Sequence, residues 1–232
     1  MKTHRYGSHP DQFCELLGEP GATAVLLHGG FWRARYRLDL MRPMADDLVS
    51  RGWATWNVEY RRVGAGGGYP ETLEDVAEAC RAAAALGLGP LIAVGHSAGG
   101  HLALWLAGEG LVSGALVLAG VSCLAEASAA RLGNGAADEF MGASSDGWAV
   151  ADPFQRLPVG LSTVLIHGAR DEDVPIGQSR IYAEAARAAG DPCELVEFPG
   201  GHFSVIEPGS RIWPTVVDRL EALRDDLRPV GR

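Results

Sequence analysis

Cysteine is scarce in this chain. Cys14, Cys80, Cys123 and Cys193 stand far apart in 232 residues and form no Cys-x-x-Cys pair. That spacing offers neither a zinc site nor the disulfide framework of a small secreted protein, so reduced thiols in a cytoplasmic protein are expected. Basic residues are also in deficit: 20 Lys and Arg against 29 Asp and Glu give a formal net charge of −9, with no basic run. Nucleic acid and an anionic membrane surface are therefore poor partners. No stretch reaches the ~18 consecutive apolar residues of a membrane span, and residues 1–10 lack the apolar centre of a signal sequence. The glycine-rich segment 64–70 has neither the Lys-Ser/Thr of a phosphate-binding loop nor the spacing of a dinucleotide fold, and reads as a flexible turn. His-Glu-x-x-His and paired Cys/His spacings are missing, so neither a metal nor a cofactor is expected.

What is present is ordinary globular composition, 47% hydrophobic and 21% charged, in a length that suits one domain. Continuous apolar runs at 22–27, 91–95, 114–119 and 162–166, with a run at 53–60 and shorter ones at 12–17 and 194–198, read as strands. Helical spacing occupies 38–49, 72–86, 98–107, 176–189 and 213–227, with Gly52 as a helix stop and Thr72 as a cap assisted by Asp75. This alternation predicts an α/β fold with a mostly parallel sheet covered by helices on both faces. Residues 122–158 break the rhythm with two short helices, 124–132 and 136–141. Their place after a strand end allows a small lid or simply a long connection.

The stretch Gly95-His96-Ser97-Ala98-Gly99 joins a buried strand directly to a helical pattern. A Gly-x-Ser-x-Gly in that context is a strand-to-helix elbow that exposes a serine, and its small neighbours let strand and helix approach closely. Asp171 and His202 each follow a later strand, completing the order Ser, Asp, His expected of such an elbow. Serine needs a base to become nucleophilic, and an acid to hold that base in the right tautomer. Asp171 is the first acid past its strand, with Asp173 as the alternative. Among seven histidines, His202 in a Gly-Gly-His-Phe loop is the best placed. His28-Gly29-Gly30-Phe31-Trp32 closes another strand, and its Gly30 or Phe31 N–H, with that of Ala98, would form an oxyanion hole. Trp32, Tyr36, Tyr69, Trp148 and Phe203 are candidates to wall a substrate pocket.

Three motifs carry a wider resemblance: His28-Gly29-Gly30-Phe31-Trp32, Gly95-His96-Ser97-Ala98-Gly99-Gly100-His101-Leu102, and His167-Gly168 with Asp171 and Val174-Pro175. With Tyr6-Gly7 and Gly201-His202-Phe203, they make the chain similar to α/β-hydrolases of the esterase and kynurenine formamidase (arylformamidase) group. The resemblance implies an α/β-hydrolase fold of about seven or eight strands, the first ones antiparallel, without a large cap. It implies the same Ser97, Asp171 and His202 as a triad, with Gly30 and Ala98 as oxyanion donors. The expected activity is a serine hydrolase acting on small carboxylic esters or N-formyl aryl amides. The contrasting expectation, a ligand-binding protein of the same fold without catalysis, sits poorly with a complete Ser, Asp and His set.

Overall fold

The computed structural model describes residues 1–144 and 146–227. Eight strands form one sheet: β1 (Lys2–Arg5), β2 (Phe13–Leu17), β3 (Thr23–Leu27), β4 (Ala54–Glu59), β5 (Leu91–His96), β6 (Gly114–Leu118), β7 (Thr163–Gly168) and β8 (Cys193–Phe198). Their spatial order is β1-β2-β4-β3-β5-β6-β7-β8. β1/β2 and β2/β4 pair antiparallel and every later pair is parallel. β3, β5, β6 and β7 are buried along their whole length, which explains apolar runs without alternation.

Helices cover both faces: α1 (Arg42–Ser50) and α8 (Trp213–Asp226) on one, α2 (Glu71–Ala85) and α3 (Ala98–Gly108) on the other. α7 (Gly177–Ala188) packs beside β7 and β8 through Tyr182 and Ala186. The period of two is visible in the cores, because Val25 and Leu27 face the α2/α3 side while Ala24 and Leu26 face the α1/α8 side. Among the described residues no helix is long and apolar enough to cross a membrane.

Several elements differ from the sequence expectation. β1 lies in a stretch that reads as merely polar; Lys-Thr-His-Arg is an exposed edge strand held by backbone pairing to β2. The helix expected over 38–49 is a 3-10 turn, Leu38–Met41, followed by α1, which restarts where Pro43 fits the first turn without losing a needed N–H. Gly52 does stop that helix, at φ +87°, with its N–H bonded to Val49 and that of Trp53 to Leu48. Thr72 is not a cap: α2 begins at Glu71, and the Thr72 hydroxyl donates to the Arg61 carbonyl and accepts from the Gly68 N–H. Asp75 is buried against the Arg61 guanidinium at 2.7 Å instead of closing a capping box. These bonds, with Tyr69 N–H to Phe140 O at 2.7 Å, pin the 64–70 loop at its base.

The 122–158 segment forms α4 (Leu124–Ala129), α5 (Leu132–Met141), α6 (Trp148–Ala151) and a 3-10 turn. The first helix ends short of Leu132 because Arg131, Gly133, Asn134 and Gly135 all take positive φ, a left-handed turn between two helical pieces. This turn rests on the Phe31 ring, where a side chain on Gly133 would collide with it.

Candidate active site

Ser97 sits between β5 and α3 at φ 56° and ψ −120°, a conformation that non-glycine residues rarely adopt. It persists because surrounding bonds fix it: the Ser97 N–H donates to Leu118 O, and its carbonyl accepts from Gly100 and Val121 N–H. The close approach leaves no room for larger neighbours. A Cβ on Gly95 would meet the Gly99 carbonyl, and one on Gly99 would meet the Leu27 carbonyl. The result is a serine 2% exposed that lines a cavity of about 40 Å³ together with His202, Gly30, Phe31, Tyr36 and Phe203.

The acid and base meet across 31 residues of sequence. The loop after β7 places the Asp171 Oδ2 2.7 Å from His202 Nδ1. Asp171 Oδ1 accepts from the N–H groups of Asp173 and Val174, each at 2.9 Å. Burial pushes this carboxyl up, but the hydrogen bonds from His167, His202 and Val174 outweigh it and hold the group well below the usual carboxylate range. Asp171 is therefore an anion at neutral pH, with His202 Nδ1–H as its donor. That leaves Nε2 as the free nitrogen beside the Ser97 cavity; among the described residues no hydrogen bond yet joins it to the serine hydroxyl. Asp173, the alternative acid, is exposed and gives the Asp171 carboxylate its backbone N–H. Asp171, Asp173 and His202 offer ligand atoms within 4.8 Å of one another, and Asp171 Oδ2 and His202 Nδ1 are bonded to each other.

Opposite Ser97, the turn after β3 carries Phe31 and Trp32 at φ 53° and 56°. Among the described residues the N–H groups of Gly30, Phe31 and Ala98 have no hydrogen-bond partner, the last because it opens a helix. The consecutive left-handed residues send the two aromatic side chains apart. Phe31 lines the cavity, whereas Trp32 is buried in the core, stacked on Phe140 with its indole N–H donated to His101 Nδ1 at 3.3 Å. Of the five aromatics expected around a substrate, Tyr36 and Phe203 line the Ser97 cavity. Tyr69 lines a separate cleft beside α2, and Trp148, in α6, packs against the core.

The structure also brings in polar residues that the sequence reading leaves aside. His167 is fully buried and places Nε2 3.3 Å from Asp171 Oδ2 and 2.9 Å from Val174 O, while its Nδ1 accepts from the Ser179 hydroxyl at 2.7 Å. His96 donates its Nε2–H to the His202 carbonyl at 3.0 Å, and its ring lies 4.6 Å from that of His202. Burial, with the neighbouring His202, drives His96 down to about 3, so it stays neutral. Both histidines stand in the motifs themselves, but a motif gives no hint of which partner a ring nitrogen will find.

The BD-FAE family model matches residues 18–113, a span that holds the Gly29-Gly30 turn and the Ser97 elbow. No curated protein matches the chain significantly. Among solved structures, esterase 2 of Thermogutta terrifontis phosphoramylated by tabun is similar at a TM-score of 0.79 and 21% identity, covering 100% of this chain and 96% of that one. The propionate-bound form of that esterase gives 0.79 and 22%, covering 99% and 96%. A bifunctional GH43-CE protein of Bacteroides eggerthii gives 0.79 and 20%, with 97% of this chain on 38% of that one. Strand order, elbow and these likenesses agree that the chain has the α/β-hydrolase fold.

Proposed function

We propose that the chain is a serine hydrolase that cleaves small carboxylic esters or N-formyl aryl amides through an acyl-enzyme. The observation that carries this reading is the strained Ser97 elbow sharing one cavity with a His202 whose other nitrogen is bonded to an ionised Asp171. Ser97 Oγ attacks the carbonyl carbon while His202 Nε2 takes the hydroxyl proton. The oxygen that becomes negative meets the N–H groups of Ala98 and of Phe31 or Gly30, and Asp171 stabilises the imidazolium. His202 then returns the proton to the departing alkoxide or amine. Water repeats the sequence on the acyl-enzyme and releases the acid.

The likeness to an esterase recorded with propionate, with butyrate and with organophosphates supports this reading, as does the partnerless state of the three oxyanion-facing N–H groups. A cavity of about 40 Å³ favours the smallest acyl groups, formyl and acetyl, and makes the ester and the formamide equal in room required. Purified protein should react with a fluorophosphonate probe at Ser97 and hydrolyse p-nitrophenyl acetate, and Ser97→Ala should lose both. Undiminished turnover by Ser97→Ala refutes the proposal. Assaying N-formylkynurenine beside a short aryl ester series separates the two substrate types. Ligand-induced stabilisation without probe labelling would instead support a binding protein.

A further inference from the structure

Phe203 stands at the boundary of two spaces. On one side is the Ser97 cavity; on the other is a groove of about 470 Å³ formed by Leu40, Pro43, Phe203, Ile206, Glu207 and Pro208. Leu40 and Phe203 line both. The two spaces are unequal. The cavity is by far the smaller of the two, a size that suits a short acyl group. The groove has the volume of an ordinary small-molecule site and is apolar apart from Glu207. Phe203 is 46% exposed and held edge-on to His202 at 5.2 Å.

An acyl-transfer substrate must send two groups away from Ser97 in different directions. Inward, the cavity is closed by Phe31 and the buried His96. Phe203 and Leu40 are the walls that the cavity shares with the groove. The exposed Asp173 at the cavity is a negative charge against an anionic leaving group. A third space near the His202 loop, which carries Arg170 and Arg211, shares no wall with the cavity.

We propose that this groove is the leaving-group subsite, and that the substrates pair a one- or two-carbon acyl group with a bulky, apolar, uncharged alcohol or aryl amine. The proposal rests on the serine-hydrolase reading and adds an asymmetry to it: the acyl side is restricted and the alcohol side selected. Ethyl acetate, 2-phenylethyl acetate and 2-phenylethyl hexanoate test it, because the two alcohols differ in size far more than in leaving ability. Burial of the phenyl ring should raise kcat/KM for 2-phenylethyl acetate at least about tenfold over ethyl acetate. The hexanoate should fall at least about tenfold below the acetate, since its four further carbons do not fit the cavity. Leu40→Asn, or Pro43→Glu where the first variant folds poorly, should shrink the phenylethyl-to-ethyl ratio at least about threefold. Fluorophosphonate labelling of each variant reports an intact Ser97. Equal rates for the two acetates, or a high ratio untouched by both variants, overturn the subsite while labelling persists. Loss of both labelling and hydrolysis in the unmodified protein overturns the serine-hydrolase reading itself, and the subsite with it.

Discussion

The two walls of the Ser97 cavity are built by different means. The oxyanion-side loop, residues 28–38, is held by buried charge. Glu59, fully buried, takes His28 Nε2 at 3.1 Å, Arg62 Nη1 at 2.8 Å, Arg37 Nε at 3.3 Å and the Leu38 N–H at 3.1 Å. Arg62, 1% exposed, reaches on to Asp11 at 2.6 Å and to the Tyr36 carbonyl. The base-side wall, the loops after β7 and β8, hangs on one carboxylate. Asp171 gathers His202, His167 and two N–H groups, and His96 holds the His202 carbonyl. Desolvated charges are expensive to leave unpaired, so damage to the first wall should be read as lost folding. The second wall is hydrogen bonding gathered around the Asp171 carboxylate, and damage there should be read as lost chemistry in a folded protein.

Asp171→Asn gives the largest expected effect and the clearest break between the walls. The substitution keeps shape but permits the wrong His202 tautomer, so kcat toward p-nitrophenyl acetate should fall by about 10³–10⁴. Its melting temperature should stay within a few degrees of the parent. A variant that unfolds without losing specific activity would reverse the assignment of roles. Glu59→Gln is the counterpart on the other wall. Removing the fully buried one of the two carboxylates that face the Arg37 and Arg62 guanidinium groups should cost about 3–5 kcal/mol, lowering the melting temperature by about 10 °C. Activity per labelled Ser97 should decline far less than in Asp171→Asn. A melt unchanged from the parent would show that the buried network carries no stability.

Both walls differ from the sheet behind them in how far the sequence announces them. β3, β5 and β7 are legible because strands covered on both faces need uninterrupted apolar runs, and the elbow is legible because only glycine tolerates the contacts at Gly95 and Gly99. The Ser97, Asp171 and His202 candidates can be read from their order at strand ends, and the structure places Asp171 against His202 and His202 beside Ser97. β1 escapes such reading because an edge strand of Lys, Thr, His and Arg shows no apolar run and is held mainly by its backbone pairing to β2. Aromatic residues are opaque for another reason: composition does not record direction. Phe31 and Trp32 are neighbours in the chain, yet two consecutive positive φ angles put one on the cavity and the other in the core. The anchoring network is spread over Asp11, Arg37, Glu59 and Arg62, whose separate positions in the chain read as ordinary surface charge.

A buried neutral histidine stands behind each wall, and pH compares them. Burial drives His96, behind His202, down to about 3 and His101, behind Trp32, down to about 4, from an ordinary 6.5. His202, Asp171 and His167 are the titratable neighbours of His96. In the unfolded chain both histidines take up protons near their ordinary value, so between about pH 6.5 and 4 the unfolded state binds more protons than the folded one. Stability is then complete above about pH 6.5 and declines as pH falls, by up to about 1.4 kcal/mol per pH unit for each histidine. The depressed Asp171 acts in the same direction, below its ordinary range. Chemical denaturation from pH 7 to 4.5 should show this slope, and His96→Gln and His101→Gln should each flatten it. His96→Gln alone should also lower kcat, since it alone touches the His202 backbone. Equal kcat losses in the two variants would remove the distinction.

Ser179→Ala should have the smallest effect and tests the base-side wall at its outermost member. The Val174 carbonyl and Asp171 Oδ2 oblige the His167 ring to carry its proton on Nε2, and the Ser179 hydroxyl donates to the unprotonated Nδ1, which holds the ring in place. Without the hydroxyl, the buried Nδ1 has no donor and the ring is free to shift, loosening its Nε2–H from the two oxygens. The carboxylate would then lose one of its donors and some of its fixed orientation toward His202. A hydrogen bond of this kind is worth about 1 kcal/mol, so kcat should fall by about fivefold with KM unchanged. Ser179→Thr, which restores a hydroxyl at the same place, should recover most of the loss. A change in KM instead of kcat, or no rescue by threonine, would show that His167 only packs beside Asp171 and does not position it.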